Sequence, residues 1–255
     1  MATEAERPVA AEPARRDPIL RAEGVCRHFG GLKAVDDVSL AVAPGELVGI
    51  VGPNGAGKTT LFSLLSGEIA PSEGQIFFDS RRVTRKPVHV RARMGLGRTF
   101  QIVRPFDSMT VAENVAVCAM THHGSRRTAE IAGYEVLERV RLADRAHLGA
   151  SGLTLAQRKR LEIARAMALE PRVLLLDEVM AGLNPVETDE AIGVIGELHA
   201  DGLTIVLIEH NLRVVRGLCQ RMLALDHGKA IAEGTPEQVF ADERVIEAYL
   251  GTRHR

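Results

Sequence analysis

Aromatic residues make up only 4% of the 255-residue chain, cysteines number three, and no apolar run approaches the roughly 20 residues needed to cross a bilayer. Each shortage excludes a class of protein. Without a spanning run, any membrane association has to go through a protein partner. Cys26, Cys118 and Cys219 are far apart, odd in number and in no C-x-x-C arrangement. They read as small buried hydrophobes in a reducing compartment, not as disulfides or metal ligands. A formal net charge of −1, with Lys and Arg scattered among acids, leaves no electrostatic footprint for nucleic acid or anionic lipid. Residues 1–17 are rich in Ala, Glu, Pro and Arg and hold no apolar core of signal-peptide length, so a disordered tail on a cytosolic protein is expected. No internal repeat is visible. The remaining length lies near the upper size of a single hydrophobic core, and one α/β domain over 18–255 is expected.

What the chain does contain is Gly52-Pro53-Asn54-Gly55-Ala56-Gly57-Lys58-Thr59-Thr60, which fits the phosphate-loop pattern G-x-x-x-x-G-K-[ST]. Its closely spaced glycines let successive backbone N–H groups point into one concave space that cradles phosphate oxygens. The apolar run from Glu46 to Val51 reads as a buried parallel strand, and Thr60 to Ser66 as a helix closed by Gly67. Strand, loop, helix is the order the motif requires. The helix N-terminus adds its partial positive charge to that of Lys58, so a triphosphate is the expected ligand.

Ahead of this loop, Ile19 to Cys26 and Val38 to Val42 read as strands of an antiparallel edge. Phe29, beside Gly30 and Gly31, fits either a core position or a ring that stacks on a nucleotide base. Gly74 to Asp79 reads as a further strand, and the basic passage from Arg81 to Arg93 as a solvated face. From Thr110 the texture is helical. Thr110 and Glu113 fit a capping box, Tyr134 to Val140 continues in the same style, and no strand signal appears before Pro171. A helical lobe at about 103–170, inserted between two strands, is expected to serve docking. Near its end Thr154 precedes a helix in which Leu161, Ala164 and Ala168 share one face; its hydroxyl fits an ordinary N-cap or an anion site.

Val173 to Leu176 then reads as a buried strand finishing in Asp177 and Glu178, a costly ending unless the acids meet a cation or water. With a phosphate loop upstream, Asp177 joins the Thr59 hydroxyl as a component of a Mg²⁺ site, and Glu178 is placed to polarise a water aimed at a γ-phosphate. Leu203 to Ile208 forms one more strand, ending in Glu209-His210. Ligands of open α/β sheets bind at the carboxyl ends of strands, so His210 is expected to face the γ-phosphate. The chain closes with a hairpin-like Met222 to Lys229 and a helix capped by Thr235 with Pro236 at its first position.

These segments, in this order, resemble the ATP-binding subunit of ABC transporters from about Leu20 to Leu250. Gly97-Arg98-Thr99-Phe100-Gln101, Phe106, Thr110 to Asn114, Arg160 to Ala166 and Ala181-Gly182-Leu183-Asn184-Pro185 look like the ATPases of branched-chain amino acid importers, a group that includes urea and short-amide importers. The resemblance implies an α/β fold: a P-loop NTPase core of mostly parallel strands and helices, an antiparallel β subdomain and an inserted α-helical lobe. It also implies roles. Phe29 would stack on adenine, Gly52 to Thr60 would hold the phosphates of ATP, and Gln101 would sense Mg²⁺ and touch the permease. Asp177 would hold the metal, Glu178 would be the general base, and His210 would brace the γ-phosphate and water. Leu153-Thr154-Leu155-Ala156-Gln157 would be the signature that meets ATP on the other subunit of a head-to-tail homo- or heterodimer, and Asn184 would lie in the loop crossing that interface.

The implied partners are two integral membrane permease subunits, a second ATPase subunit and, indirectly, a substrate-binding protein. The implied location is the cytoplasmic face of the inner membrane. Three departures stand out. Thr154, Leu155 and Ala156 occupy places where the family usually has Ser and two glycines, Val179 stands where Pro is usual, and Asn184 where Asp is usual. Because such importers often pair two different ATPases, unequal composite sites are expected. Two other readings share the core motifs: the ATPase of a lipid or lipopolysaccharide exporter, and a soluble P-loop ATPase or kinase without a permease.

Overall fold

The computed structural model describes residues 17–99 and 105–250. All but Asp17 of the expected tail, and Phe100 and Gln101, therefore lie outside the described residues. In chain order the strands and helices are β1 Leu20–Phe29, β2 Leu32–Val42, β3 Leu47–Val51, α1 Lys58–Ser66, β4 Glu73–Phe78, β5 Arg81–Arg82, α2 Val88–Arg93 and β6 Leu96–Arg98. There follow α3 Val111–Ala119, α4 Arg126–Arg139, α5 Leu155–Met167, β7 Val173–Asp177, α6 Pro185–Ala200 and β8 Thr204–Ile208. The chain ends in α7 Leu212–Leu218, β9 Arg221–Asp226, β10 Lys229–Gly234, α8 Pro236–Ala241 and α9 Glu243–Leu250.

Six strands form one sheet in the order β10-β9-β3-β8-β7-β6, parallel throughout except for the β9–β10 hairpin. A separate antiparallel sheet runs β2-β1-β4-β5. Strands β3, β7 and β8 are buried at every position because both faces of the large sheet are covered. Alternation along each strand divides them between two cores. Val48, Ile50, Val173, Leu175, Val206 and Ile208 pack with α1 and the antiparallel sheet. Leu47, Val51, Leu174, Leu176, Ile205 and Leu207 pack with residues of α3 to α6. The carboxyl ends of β3, β7 and β8 meet between these layers, which is where a ligand of an open parallel sheet belongs.

Several local expectations hold. Thr110 and Glu113 form a capping box, Gly67 closes α1 in a left-handed conformation, and Thr235 caps α8 with Pro236 at its first position. Cys26 and Cys219 are buried, Cys118 is half-buried, and all three are free thiols; burial pushes the Cys219 thiol up to about 12.

Two expectations need correction. Strands β1 and β2 extend to Phe29 and from Leu32, beyond the bounds expected, and β1 pairs with β4 as well as β2, so the hairpin is not an edge of the large sheet but part of the antiparallel subdomain that the resemblance implied. Backbone pairing carries the strands past the end of their apolar pattern. The passage Arg81 to Arg93 is not uniformly a solvated face, because Arg91 is 1% exposed. Its guanidinium donates to the carbonyls of Leu64 (2.7 Å), Leu65 (2.6 Å), Thr84 (3.1 Å) and Lys86 (2.9 Å). A fork of donors that completes the C-terminus of α1 outweighs its desolvation, which draws its pKa down to about 10.

Candidate nucleotide-binding site

The loop between β3 and α1 is fixed by its glycines. Gly57, the N-cap of α1, has φ 97, and a Cβ there would lie 2.3 Å from the carbonyl oxygen of Ala34. At Gly52, with φ 147, a Cβ would lie 2.1 Å from the carbonyl oxygen of Leu225. Both positions combine a backbone conformation that disfavours side chains with backbone at contact distance, so only glycine fits. Lys58 folds its Nζ back onto the loop and donates to the carbonyls of Gly52 (2.7 Å) and Pro53 (2.9 Å). Burial lowers the pKa of that ammonium, against the opposing pull of Glu178 and Asp177. The Gly52 N–H donates to the hydroxyl of Tyr249 on α9, 2.9 Å away.

At the carboxyl end of β7 the two acids diverge. Asp177, the last strand residue, is 1% exposed. Its Oδ2 accepts from Arg98 (3.2 Å) and its backbone N–H donates to the Thr99 hydroxyl (3.2 Å), while its buried Oδ1 has no hydrogen-bond partner among the described residues. Burial raises the Asp177 pKa and Arg98 opposes the rise. Arg98 also donates to the hydroxyls of Ser63 (3.3 Å) and Ser66 (2.9 Å) and to Glu68 (2.8 Å), so it ties β6 to α1 as well as to β7.

Glu178 leaves the strand with φ 48. Its N–H donates to the Ile208 carbonyl (3.0 Å), its carbonyl accepts from Lys159 Nζ (2.9 Å), and its Oε1 lies 2.6 Å from His210 Nε2. His210 follows β8, whereas the N-cap of α7 is Asn211. The histidine is therefore not a helix cap.

A cleft of about 540 Å³ joins these parts, lined by Phe29, Lys33, Asn54 to Thr60 and Glu178 among others. Phe29 is 46% exposed, with the Arg27 guanidinium 4.7 Å from its ring centroid, so the core alternative for this ring is excluded. Pro53 instead lines a neighbouring depression against α9. Asp177 and His210 reach the cleft through its surroundings: Asp177 acts on Lys58 electrostatically and His210 pairs with Glu178. A larger groove of about 620 Å³ lies at the other ends of the strands, around Pro44, Gly45, Leu203 and Thr204, and contains none of these residues.

The signature-like segment is elsewhere. Thr154 is the N-cap of α5: its hydroxyl accepts from the Gln157 N–H, and Gln157 Oε1 accepts from the Thr154 N–H. Leu153 and Ala156 are buried, Leu155 is exposed beside Gly182, and Asn184 caps α6 in a capping box with Glu187. Neither Leu153 to Gln157 nor Asn184 lines the cleft. Sequence reasoning assigned no part to Arg98, Lys159, Glu209 or Tyr249. Arg98 sits in a motif already singled out, while nothing local marks the others.

The loop and the two acids bring together the parts of an ATPase, and the comparisons decide which. A family model described as "ABC transporter" matches residues 35–181, more than half of the chain. The chain belongs to the ABC transporter ATP-binding family. It is an ATPase of the type coupled to transport, and it binds ATP. A second model, described as "Branched-chain amino acid ATP-binding cassette transporter", matches residues 231–255. The chain is 40% identical over 251 residues to the high-affinity branched-chain amino acid transport ATP-binding protein BraF of Pseudomonas aeruginosa, covering 92% of this chain and 98% of that one. It is 37% identical over 233 residues to the lipopolysaccharide export system ATP-binding protein LptB of Acidithiobacillus ferridurans, covering 91% and 97%. A crystal structure of the ADP conformation of an ABC transporter cassette superposes with a TM-score of 0.84 at 31% identity, covering 92% and 99%. A dimeric cassette in a post-hydrolysis state, bound to ADP and Pi, superposes with 0.77 at 25% identity, covering 85% and 98%.

Proposed function

We propose that this chain is the ATP-hydrolysing subunit of an ABC importer whose cargo is branched-chain amino acids or a related small polar metabolite such as urea or an amide. The observation that carries the hydrolytic part is Glu178, which lines the phosphate-loop cleft and holds His210 at 2.6 Å. The C-terminal match and the similarity to BraF support the cargo class. Residues 18–255 act as one ATPase domain with its helical lobe at about 103–170. The domain works at the cytoplasmic face of the inner membrane, bound to permease subunits and a second ATPase subunit. Among the described residues no helix is long and apolar enough to cross a membrane.

In this reading the N–H groups of Gly55 to Thr60 and the Lys58 ammonium bind the phosphates, and Phe29 stacks on adenine. Glu178 takes a proton from the water that attacks the γ-phosphorus; the bond to the β,γ-bridging oxygen breaks and ADP leaves with that oxygen. His210 turns from Glu178 to brace the γ-phosphate. The residues present fit Mg²⁺: the buried Asp177 Oδ1 has no partner among the described residues, and carboxylate, hydroxyl and amide oxygens are hard donors. Thr59, Asp177 and Gln101 would hold the ion, which supplies charge neutralisation on the phosphoryl oxygens. Leu153 to Gln157 and Asn184 face the partner's nucleotide, where Thr154 keeps a hydroxyl and all backbone donors remain.

The similarity to LptB supports a second reading, the ATPase of a lipid or lipopolysaccharide exporter. Purification from native membranes followed by reconstitution in liposomes separates the two. The expected outcome is co-purification with integral permeases and ATP-dependent uptake of leucine, isoleucine, valine or urea with the cognate binding protein. Stimulation by lipopolysaccharide instead would favour the exporter, and a chain that never sediments with a permease would overturn both.

A further inference from the structure

We propose that Lys159 is a positioning residue for hydrolysis, holding the Glu178 backbone in the turn that directs its carboxylate into the cleft. Lys159 lies on α5 and is only 7% exposed. A buried ammonium is costly, and burial pulls its pKa down while Glu209 and Glu178 hold the charge in place. Its Nζ donates to the carbonyl oxygen of Glu178 at 2.9 Å, and the same oxygen accepts the Ala181 N–H at 3.1 Å. The lysine therefore fastens the turn from Glu178 to Ala181 at its first residue.

That turn is strained where it is fastened. Glu178 has φ 48, a conformation that non-glycine residues hold only when their surroundings enforce it. Its N–H is fixed by the Ile208 carbonyl at 3.0 Å, so Lys159 supplies the second anchor. Glu209, 4% exposed, backs the arrangement: its carboxylate accepts the N–H groups of Met180 (3.0 Å) and His210 (3.3 Å). The lysine thus holds the carbonyl of the base directly and interacts electrostatically with Glu209, which in turn holds the N–H groups of Met180 and His210. Without it, the Glu178 carbonyl keeps only the Ala181 N–H, the backbone is less held against relaxing to negative φ, and the carboxylate swings away while the phosphate cradle keeps its shape.

The same helix begins at Thr154, in the segment set against the partner's nucleotide. Resting on the functional reading above, Lys159 gives a displacement of α5 at one composite site a direct hold on the base of the other.

The test compares Lys159→Met, which keeps the stem and removes the charge, with Lys159→Arg, each in the complete transporter beside Glu178→Gln. Lys159→Met is expected to lower kcat about 10- to 100-fold with KM for ATP and ATP affinity nearly unchanged, as misplacement of a reacting group does. Lys159→Arg should recover most of kcat, and Lys159→Met added to Glu178→Gln should cause no further loss. Wild-type kcat in Lys159→Met overturns the proposal. So does a loss of ATP affinity and of the denaturation midpoint in parallel with kcat, equal in both Lys159 variants, since that marks a purely structural lysine. Turnover surviving Glu178→Gln would overturn the assignment of the base, and this inference with it; lost turnover there beside intact turnover in Lys159→Met overturns the inference alone.

Discussion

Glu178 divides its labour between backbone and side chain. Two anchors, the Ile208 carbonyl and Lys159, hold the backbone, while the carboxylate pairs with His210. Glu178→Gln keeps the shape and removes the basicity. Turnover by the reconstituted protein is expected to fall by at least about 100-fold while ATP affinity, measured by calorimetry, stays within a few-fold of wild type. Lys58→Ala should do the reverse and weaken ATP binding itself, because it removes the charge that faces the phosphates. The two acids and the loop lysine were legible because their spacing is local and their chemistry follows from strand ends. Arg98, Lys159 and Tyr249 were not, because their partners lie 79, 19 and 197 residues away and nothing in their own neighbourhoods marks the contact. Phe29 could be narrowed but not fixed from sequence, since a lone ring beside two glycines fits core and cleft equally; its exposure decides.

At the scale of elements, termini carry most of what the sequence announced. The capping box at Thr110, the N-cap reading of Thr154 and the cap at Thr235 follow from short polar patterns and appear as such, whereas the capping box at Asn184 was not anticipated. Strand lengths were less legible, because β1 and β2 continue through polar residues whose only reason to extend is a neighbouring strand. Arg91 shows the limit of reading charge runs. A basic passage looks solvated until one of its members turns inward to complete a helix end, and no sequence pattern says which. Arg91→Met leaves the carbonyls of Leu64, Leu65, Thr84 and Lys86 without this donor and is expected to cost about 3 kcal/mol by urea denaturation. Lys should not rescue it, because one ammonium cannot span four carbonyls that a planar fork reaches. The change should act on stability and leave the cleft's residues in place.

For the whole molecule, one sheet separates two cores and brings three strand ends to one edge. The order of strands and helices could be anticipated from apolar runs and turn residues, whereas the division of each parallel strand between two cores could not, since a continuous apolar run hides its own alternation. In the proposed reading the signature-like segment, which lies outside the cleft of its own chain, completes the site of a second copy or a related subunit. Glu178→Gln protein should accordingly shift from monomer to dimer when ATP and Mg²⁺ are added, by light scattering, and return to monomer on chelation; a monomer throughout would count against the head-to-tail arrangement. The contact between Gly52 and Tyr249 bears on how such a molecule is made. The phosphate loop leaves the ribosome early, yet β3 is flanked by β8 and β9, and its first glycine is held by a side chain near the far end of the chain. At about 5–20 residues per second the loop waits roughly 10–40 seconds for its last neighbour, so the nascent protein carries its most recognisable motif long before that motif has all its neighbours in place.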